Sequence, residues 1–560
     1  MMASGFRWNE FDKPVPASQD NVKYVYKPNK VPQNERRPVM VSIGSILPGV
    51  AMPHDDLFDP ETYLAGSRYR IACKKPRPDP DLLRRLAIFA GKWALQFKPV
   101  ESDYDFSIEK WLSETKYPEW RKEELRKAWD EGHVYGASNT VKSHLKDEQR
   151  NKWAHARTIN SRVDYYKVLF GPIVHACEKR MFESSKFAKY VPQRERWRFI
   201  FRRLWCPGAA YTTTDFDQFE SHFINVVKEV LVIPMYSGLL RECQEVRETF
   251  LGNYRRFILA PQGQHLVSKY FELLFAELEC SGEMDTSFNN GGSNACLFDF
   301  FNFEKDFVET ETNTESPNQI VAEGDDGVSR NDPDKVVDGA DYRKAGFMMK
   351  QIIVHNIEDT DFCGIYGESD DFMSTTDPRE CLGTFGWCLS RYVNCKRPRL
   401  LELLRAKSMS YFDQYERSPI IQSLALYGMR VTKHIDMERY FKKDRYTNRW
   451  DMEQYLAAYE RLRSKSLTVL PVHEGLRRVV ESRFGICVRD QIEIERYLDS
   501  LDRLTFFNNQ TLFDIMPNMY IDYGLRYTYW EGECSEPFVD AVYDNMPDIS
   551  CVTNSWLLRG

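Results

Sequence analysis

Two groups of carboxylates are the residues of this chain most suited to chemistry. In NQIVAEGDDGVSR, the apolar run Ile320, Val321 and Ala322 leads into Gly324-Asp325-Asp326, and Gly327-Val328 follows. Short apolar runs on both sides of a Gly/Asp group predict strand, two-carboxylate turn, strand. The other group lies in AAYTTTDFDQFESHFINVVKEVL, with Asp215, Asp217 and Glu220. Residues 211–216 read as a strand ending on Asp215, and the Phe-x-x-x-Phe and Ile/Val spacing after it reads as a helix. Carboxylates at the ends of adjacent strands can hold two Mg²⁺ ions about 3.5–4 Å apart, which stabilise the attacking and leaving oxygens of phosphoryl or nucleotidyl transfer. Each group alone also has a plainer reading. Gly-Asp is a common hairpin turn, and acidic residues at a helix start cap its N-terminus.

Between these groups runs AELECSGEMDTSFNNGGSNACLFDFFNF. Ala276, Leu278 and Cys280 alternate with Glu277 and Glu279, predicting a strand that feeds Ser281-Gly282. A helix carrying Thr286, Asn290 and the aromatics Phe298, Phe300 and Phe301 is expected next. Gly291-Gly292 early in that helix costs about 1 kcal/mol per Gly relative to Ala, which makes sense where another backbone, such as a template strand, approaches closely. The plainer alternative is a loop before a helix that begins later. Upstream, residues 142–203 hold 16 Lys or Arg against 6 Asp or Glu, whereas 299–341 hold 13 Asp or Glu against 3 Lys or Arg. A basic segment and a separate acidic one suit polyanion binding beside cation binding, or two oppositely charged solvated faces.

The elements that must position these residues belong to a chain of 560 residues with a net charge of −7, long enough for about three to five lobes. A hydrophobic content of 42%, with 14% aromatics, excludes wholesale disorder. No apolar run of about 18 residues predicts a transmembrane helix, and MMASGFRWNEFDKP has neither the n-region nor the h-region of a secretory signal. The thirteen Cys contain no CxxC pair and are expected as buried reduced thiols. Cys381, Cys388 and Cys395 recur every seven residues, which predicts one buried helix face rather than zinc. The ten His show no metal spacing and are expected to be structural. Residues 1–60, with eight Pro, read as an extended arm that wraps the rest. Asp79-Pro80 and Pro118-Glu119 suit helix starts, and 308–319 a polar surface loop. Helical patterns dominate beyond about 376, as in PRECLGTFGWCLSRYV, DMEQYLAAYERLRSK and DQIEIERYLDSLDRL. The cluster MYIDYGLRYTYW (519–530) suits core packing, or stacking on a nucleotide base.

In this order, an acidic strand end, then Ser281-Gly282…Thr286…Asn290, then Gly324-Asp325-Asp326, the chain resembles motifs A, B and C of viral RNA-dependent RNA polymerases. SGEMDTSFNN is similar to the SG-x-M-N-T-S-x-x-N string of the tombusvirus-, nodavirus- and ourmiavirus-like enzymes of positive-strand RNA viruses. HLKDEQRNKWAHARTINSRVDYYKVLFGPIVHACEK resembles motif F, KAGFMMK motif D and DFCG (361–364) motif E. The six motifs span about 142–364.

The resemblance implies a mixed α/β (α+β) right hand whose palm bears an antiparallel sheet of RRM-like topology. It implies an arm over 1–60, fingers over 61–205 with motif F at 142–179, palm over 206–232 and 271–375, a fingers insertion over 233–270, and a mostly helical thumb over 376–560. The implied activity is RNA-directed RNA synthesis from NTPs, by nucleotidyl transfer with two Mg²⁺ or Mn²⁺ ions. Asp215, Asp325 and Asp326 would hold the metals. Lys146, Arg157 and Arg162 would line the NTP entry and grip the triphosphate, and Lys350, rather than the nearby Lys344, would protonate leaving pyrophosphate. Ser281, Gly282 and Thr286 would line the nucleotide site, while Glu220, Asp285 and Asn290 would read the ribose 2′-hydroxyl. Two positions depart from the family: Glu220 where many relatives have Asp, and Asp285 where Asn is commoner. Glu220 could equally swing out to pair with an Arg. The implied partners are RNA template and product, NTPs and other viral or host replication factors. No intrinsic transmembrane anchor is expected, so a replication membrane in the host cytoplasm would be reached through partners. A catalytically silent RNA-binding scaffold and a reverse transcriptase are the alternatives. The GDD string, in place of an aromatic-x-D-D string, and Asn290 favour RNA over DNA synthesis.

Overall fold

The hairpin expected around Gly324 forms, and the sheet built on it organises the centre of the molecule. The computed structural model describes residues 1–15, 18, 22–27, 36–132, 140–259, 263–275, 281–306, 318–443, 447, 449–464 and 468–530. Strands Gln319–Glu323 and Asp326–Asn331 pair antiparallel with Asp326 opposite Glu323, leaving a two-residue loop, Gly324-Asp325. Such a loop needs a left-handed first residue, and Gly324 has φ +62°. Strand Ala210–Phe216 pairs with Asp326–Asn331 on one side and Met349–Val354 on the other, closing a four-stranded antiparallel sheet. The strand expected over 276–280 and most of the loop expected over 308–319 lie outside the described residues.

Helices bury one face of this sheet, so the fold is a mixed α/β one with antiparallel and mixed sheets. The long helix Thr286–Asp306 shares its core with helices Pro80–Trp93 and Asp164–Met181 and the helical segments of 225–258. The expected starts hold: Asp79 caps Pro80–Trp93 by accepting from the amides of Asp81 and Leu82, and Pro118 precedes Glu119–Glu131. A second, five-stranded sheet runs Lys23–Tyr26, Phe271–Phe275, Gln264–Val267, Thr140–Leu145, Thr158–Arg162, with Thr140–Leu145 and Gln264–Val267 parallel.

The N-terminal segment adds strands to two sheets. Lys23–Tyr26 edges the five-stranded sheet, while Met2–Ser4 lies between Pro38–Ser42 and Thr528–Tyr529, in a sheet completed by Trp387–Leu389. Helices from Arg397–Gln414 to Asn518–Tyr527 pack into a separate core that also takes in Val41–Met52 side chains. Tyr520, Tyr523 and Tyr527 are buried there and in the neighbouring cluster, so core packing accounts for this aromatic group.

Two expectations fail here. Cys381, Cys388 and Cys395 do not share a helix: the helix Pro378–Phe385 ends at Gly386, and Cys388 sits in the strand Trp387–Leu389. Gly386 explains the break, because a Cβ there would lie 2.2 Å from the Gly44 carbonyl oxygen, so the chain must turn beside that backbone. Likewise 218–224 is not the start of a plain helix. Gln218 is left-handed at φ +58°, and its carbonyl accepts from the Ser221 amide and hydroxyl and from His222 Nδ1. A left-handed non-Gly residue costs about 1 kcal/mol, which these three bonds offset.

Candidate active site

The sheet register brings the two carboxylate groups together. Gly327 lies opposite Thr214, so Asp326 is level with Asp215, and Lys350 is the direct cross-strand partner of Asp215 on the other side. Level residues on antiparallel strands project to one face. Lys344, by contrast, lies on the helix Gly339–Lys344 and pairs with Asp341 at 3.5 Å. The two glycines flanking the Asp pair have different reasons. Gly324 has open space where a Cβ would stand and is needed for its φ, whereas a Cβ on Gly327 would lie 2.7 Å from Thr214 Oγ1.

Burial pushes the Asp325 carboxyl up, and the charges of Glu220 and Asp215 add to it. Burial pushes Asp326 up to about 7, reinforced by Asp325 and Asp215. Among the described residues no Lys, Arg or His forms an ion pair with Asp215, Asp325 or Asp326, and no three metal-ligating side chains are already drawn into one cage. Crowded carboxylates that no Lys or Arg pairs directly are what a divalent cation compensates, so the donor set fits Mg²⁺ or Mn²⁺. Asp361, which the motif comparison left without a role, adds a further carboxylate: its backbone carbonyl accepts from Thr213, and its charge raises Asp326.

The basic residues are each tied to an acid that sequence patterns had not paired with them. Glu148 takes both Lys146, at 2.8 Å, and Arg157, whose Nη2 donates at 2.5 Å. Burial raises the Glu148 carboxyl, but Arg157 and Lys146 outweigh it and hold it down at about 2. Arg157 lies close enough to Asp325 and Glu220 to feel both charges. Asp147, between Lys146 and Glu148, accepts from His54 and Ser390 at 2.9 Å each, pinning this turn to the N-terminal segment and the C-terminal half. Arg162 does not line an open entry. It is 4% exposed and pairs with Glu283 at 3.0 Å, with its guanidinium 5.3 Å from the Tyr166 ring centre. A buried guanidinium requires such a neighbour, and Glu283 in the adjacent loop supplies it.

The Ser281–Asp285 loop is fastened from several sides. Asn160 N–H donates to the Ser281 carbonyl at 2.7 Å, Gly282 is left-handed at φ +106°, and Thr286 Oγ1 donates to the Glu283 carbonyl. Asp285 differs from its expected sugar-reading role: its carboxylate accepts from Tyr254 Oη at 3.0 Å and Asn289 Nδ2 at 2.8 Å, inside the protein. Burial raises this carboxyl, and the Glu283 charge adds to it. Behind the loop, Arg162, Tyr166, Phe170, Tyr254, Glu283 and Asp285 border a small pocket. Asn290 is 7% exposed, and its Oδ1 has no hydrogen-bond partner among the described residues. Gly292 has an internal cause in place of a template strand: a Cβ there would stand 2.5 Å from Met235 Sδ, whereas a Cβ on Gly291 would meet Phe182 and the Gly324 amide nitrogen only at ordinary contact distances of 3.4 and 3.6 Å.

Glu220 is swung onto Arg70, which donates to it at 2.9 Å, and Lys75 Nζ donates to Gln218 Oε1 at 2.7 Å. Burial pushes the Glu220 carboxyl up, yet Arg70 holds it below its ordinary value. Arg70, Lys75, Glu283 and Tyr254 were missed in the sequence, where each is an ordinary residue far from its partner. His222, in the same turn, donates Nδ1–H to the Gln218 carbonyl, and its Nε2 is buried without a partner. Burial pulls this imidazole down from 6.5 to about 4. The unfolded chain therefore binds its proton first. His222 contributes its full stability above about pH 6.5 and loses roughly 3 kcal/mol as pH falls through 4. The pH dependence of the urea midpoint is expected to flatten over this window in His222→Asn, and a slope as steep as wild type would refute the assignment.

Among the described residues, no helix is long and apolar enough to cross a membrane. In comparisons with known proteins, no family model and no curated sequence matches the chain.

Proposed function

We propose that this chain is an RNA-directed RNA polymerase, a viral replicase subunit of the tombusvirus-, nodavirus- and ourmiavirus-like kind. The observation that carries this reading is the meeting of Asp215, Asp325 and Asp326 at one end of an antiparallel sheet with no ion-pair partner among the described residues, beside a helix whose start bears Asn290. In this reading the sheet of 210–216, 319–331 and 349–354 is the palm. The five-stranded sheet and the helices of 61–205 and 233–270 form the fingers, and the helices beyond 376 the thumb.

Mg²⁺ or Mn²⁺ held by Asp215, Asp325 and Asp326 would supply the positive charge that lowers the pKa of a primer 3′-hydroxyl and balances charge on the α-phosphate. The chain's own residues orient the reactants. Arg157 and Lys146 exchange Glu148 for triphosphate oxygens, a competition between like-charged acceptors in which the guanidinium fork favours phosphate. Lys350, beside Asp215, delivers a proton to the departing pyrophosphate. Asn290 Oδ1, buried and unbonded, accepts from the ribose 2′-hydroxyl, and a deoxyribose would leave it bare. Glu220 acts through Arg70 to shape that sugar site. Arg162 and Asp285 stabilise the loop that frames it. RNA template and product are the partners this assigns, and a membrane-associated replication complex in the host cytoplasm would be joined through other viral or host factors.

The test is primer extension by the purified protein on a short RNA template. NTP incorporation that requires Mg²⁺ or Mn²⁺, with dNTPs used at least about a hundredfold less efficiently, is the expected result. Equal or better use of dNTPs would assign a reverse transcriptase. RNA binding without synthesis under either metal would assign a scaffold.

A further inference from the structure

The Gly324–Asp326 turn is held from behind by one side chain. Asn294, 1% exposed on the helix Thr286–Asp306, directs Nδ2 at three consecutive carbonyl oxygens: Gly324 at 3.2 Å, Asp325 at 3.4 Å and Asp326 at 3.2 Å. A primary amide has two N–H donors, here shared over the whole backbone of the turn. Its Oδ1 is buried without a partner among the described residues. The opposite amide orientation would set that oxygen against the three carbonyls, so the turn dictates which end of the side chain faces it. The turn leaves room for this grip: Gly327 keeps its α-carbon bare, since a Cβ there would stand 3.3 Å from Asn294 Nδ2. Asn290 and Asn294 are four residues apart, so they lie on one helix face.

We infer that Asn294 is a positioning residue for the metal site: it locks the Asp325 and Asp326 backbone to the helix that carries Asn290, and so sets how tightly the carboxylates take a divalent cation. This rests on the reading of Asp215, Asp325 and Asp326 as metal carboxylates. Groups that orient ligands from behind typically govern metal affinity or activity by about 10- to 100-fold. The effect falls on the cation and on the chemical step, because Asn294 touches neither nucleotide nor template.

The experiment measures Mn²⁺ binding by the loss of the free-ion EPR signal in wild type, Asn294→Ala, Asn294→Leu and Asp325→Ala, with primer extension alongside. Leu keeps the volume while removing both donors, so it stays informative if the Ala cavity prevents folding. Expected are a Mn²⁺ affinity about 10- to 100-fold weaker in both Asn294 variants, a matching rise in the Mn²⁺ needed for half-maximal rate, and an NTP KM within about twofold of wild type. Wild-type Mn²⁺ affinity in a folded Asn294→Leu would overturn the inference, as would failure of wild type to bind Mn²⁺ more tightly than Asp325→Ala. Mn²⁺ binding that follows this pattern in a protein making no RNA would uphold Asn294 and overturn the polymerase reading.

Discussion

Asp325→Asn is expected to cut metal-dependent incorporation by about a thousandfold or more and, in the same protein without metal, to raise stability. Both effects have one cause. Asp325 is half-buried beside Asp326 and within reach of the charges of Glu220 and Asp215, with no ion-pair partner among the described residues. Removing its charge relieves that repulsion and at the same time removes a ligand. A carboxyl raised in the folded state binds more protons when folded than when unfolded. The site therefore weakens the metal-free fold as pH rises from about 4 toward 7, the value to which Asp326 is pushed. Asp325→Asn should therefore be more stable than metal-free wild type at pH 7. The difference should shrink at pH 5, where the wild-type pair is more protonated. Added Mg²⁺ or Mn²⁺ should stabilise wild type by mass action and leave the variant unmoved. Denaturation at the two pH values, with and without metal, reads all of this. A variant that is inactive yet less stable than metal-free wild type would show that Asp325 supports the fold in place of a cation.

Glu283→Ala is expected to destabilise the protein by about 3–5 kcal/mol, the usual consequence of leaving one member of a buried pair uncompensated. Glu283 and Arg162 are among the most buried charged side chains in the molecule, at 2% and 3% side-chain exposure, and they join the strand Thr158–Arg162 to the loop before the long helix. The double variant Arg162→Met/Glu283→Leu removes both charges from the low-dielectric cavity wall, so it should recover most of that loss. Incorporation should fall in the single variant beyond what its folded fraction explains, because the Ser281–Asp285 loop loses one of its fastenings. Urea midpoints of the two variants decide the matter. Equal losses would mean that Arg162 is satisfied without Glu283.

Much of the site was legible along the chain because its parts are local. GDD flanked by apolar runs specified a hairpin, since only Gly at 324 suits the left-handed position of a two-residue loop. The stretch 211–216 read as a strand with Asp215 near its end, as the strand Ala210–Phe216 has it, and the long helix announced itself through Thr286, Asn290 and its aromatics. What misled was equally local. Cys381, Cys388 and Cys395 have helical spacing, yet the Gly44 carbonyl beside Gly386 breaks the helix between them. Gly292 looked like an accommodation for nucleic acid, and it accommodates the Met235 and Met181 side chains of the protein's own core. Arg162 and Arg157 looked alike in a basic run, but one is buried on Glu283 and the other lies at the carboxylate end of the sheet.

The sequence by itself determined the strand around 211–216, the hairpin at Gly324, the long helix and the order of carboxylates, because periodicity and turn chemistry act between near neighbours. Only the tertiary structure decided that Asp326 is level with Asp215, that Lys350 rather than Lys344 stands beside them, and that Glu148, Arg70, Glu283 and Asn294 control the groups around the site. Those outcomes depend on strand register and on burial. A one-residue slip of register would turn every side chain of a strand to the opposite face, and burial obliges charges such as Glu220 and Glu283 to find partners more than a hundred residues away, at Arg70 and Arg162.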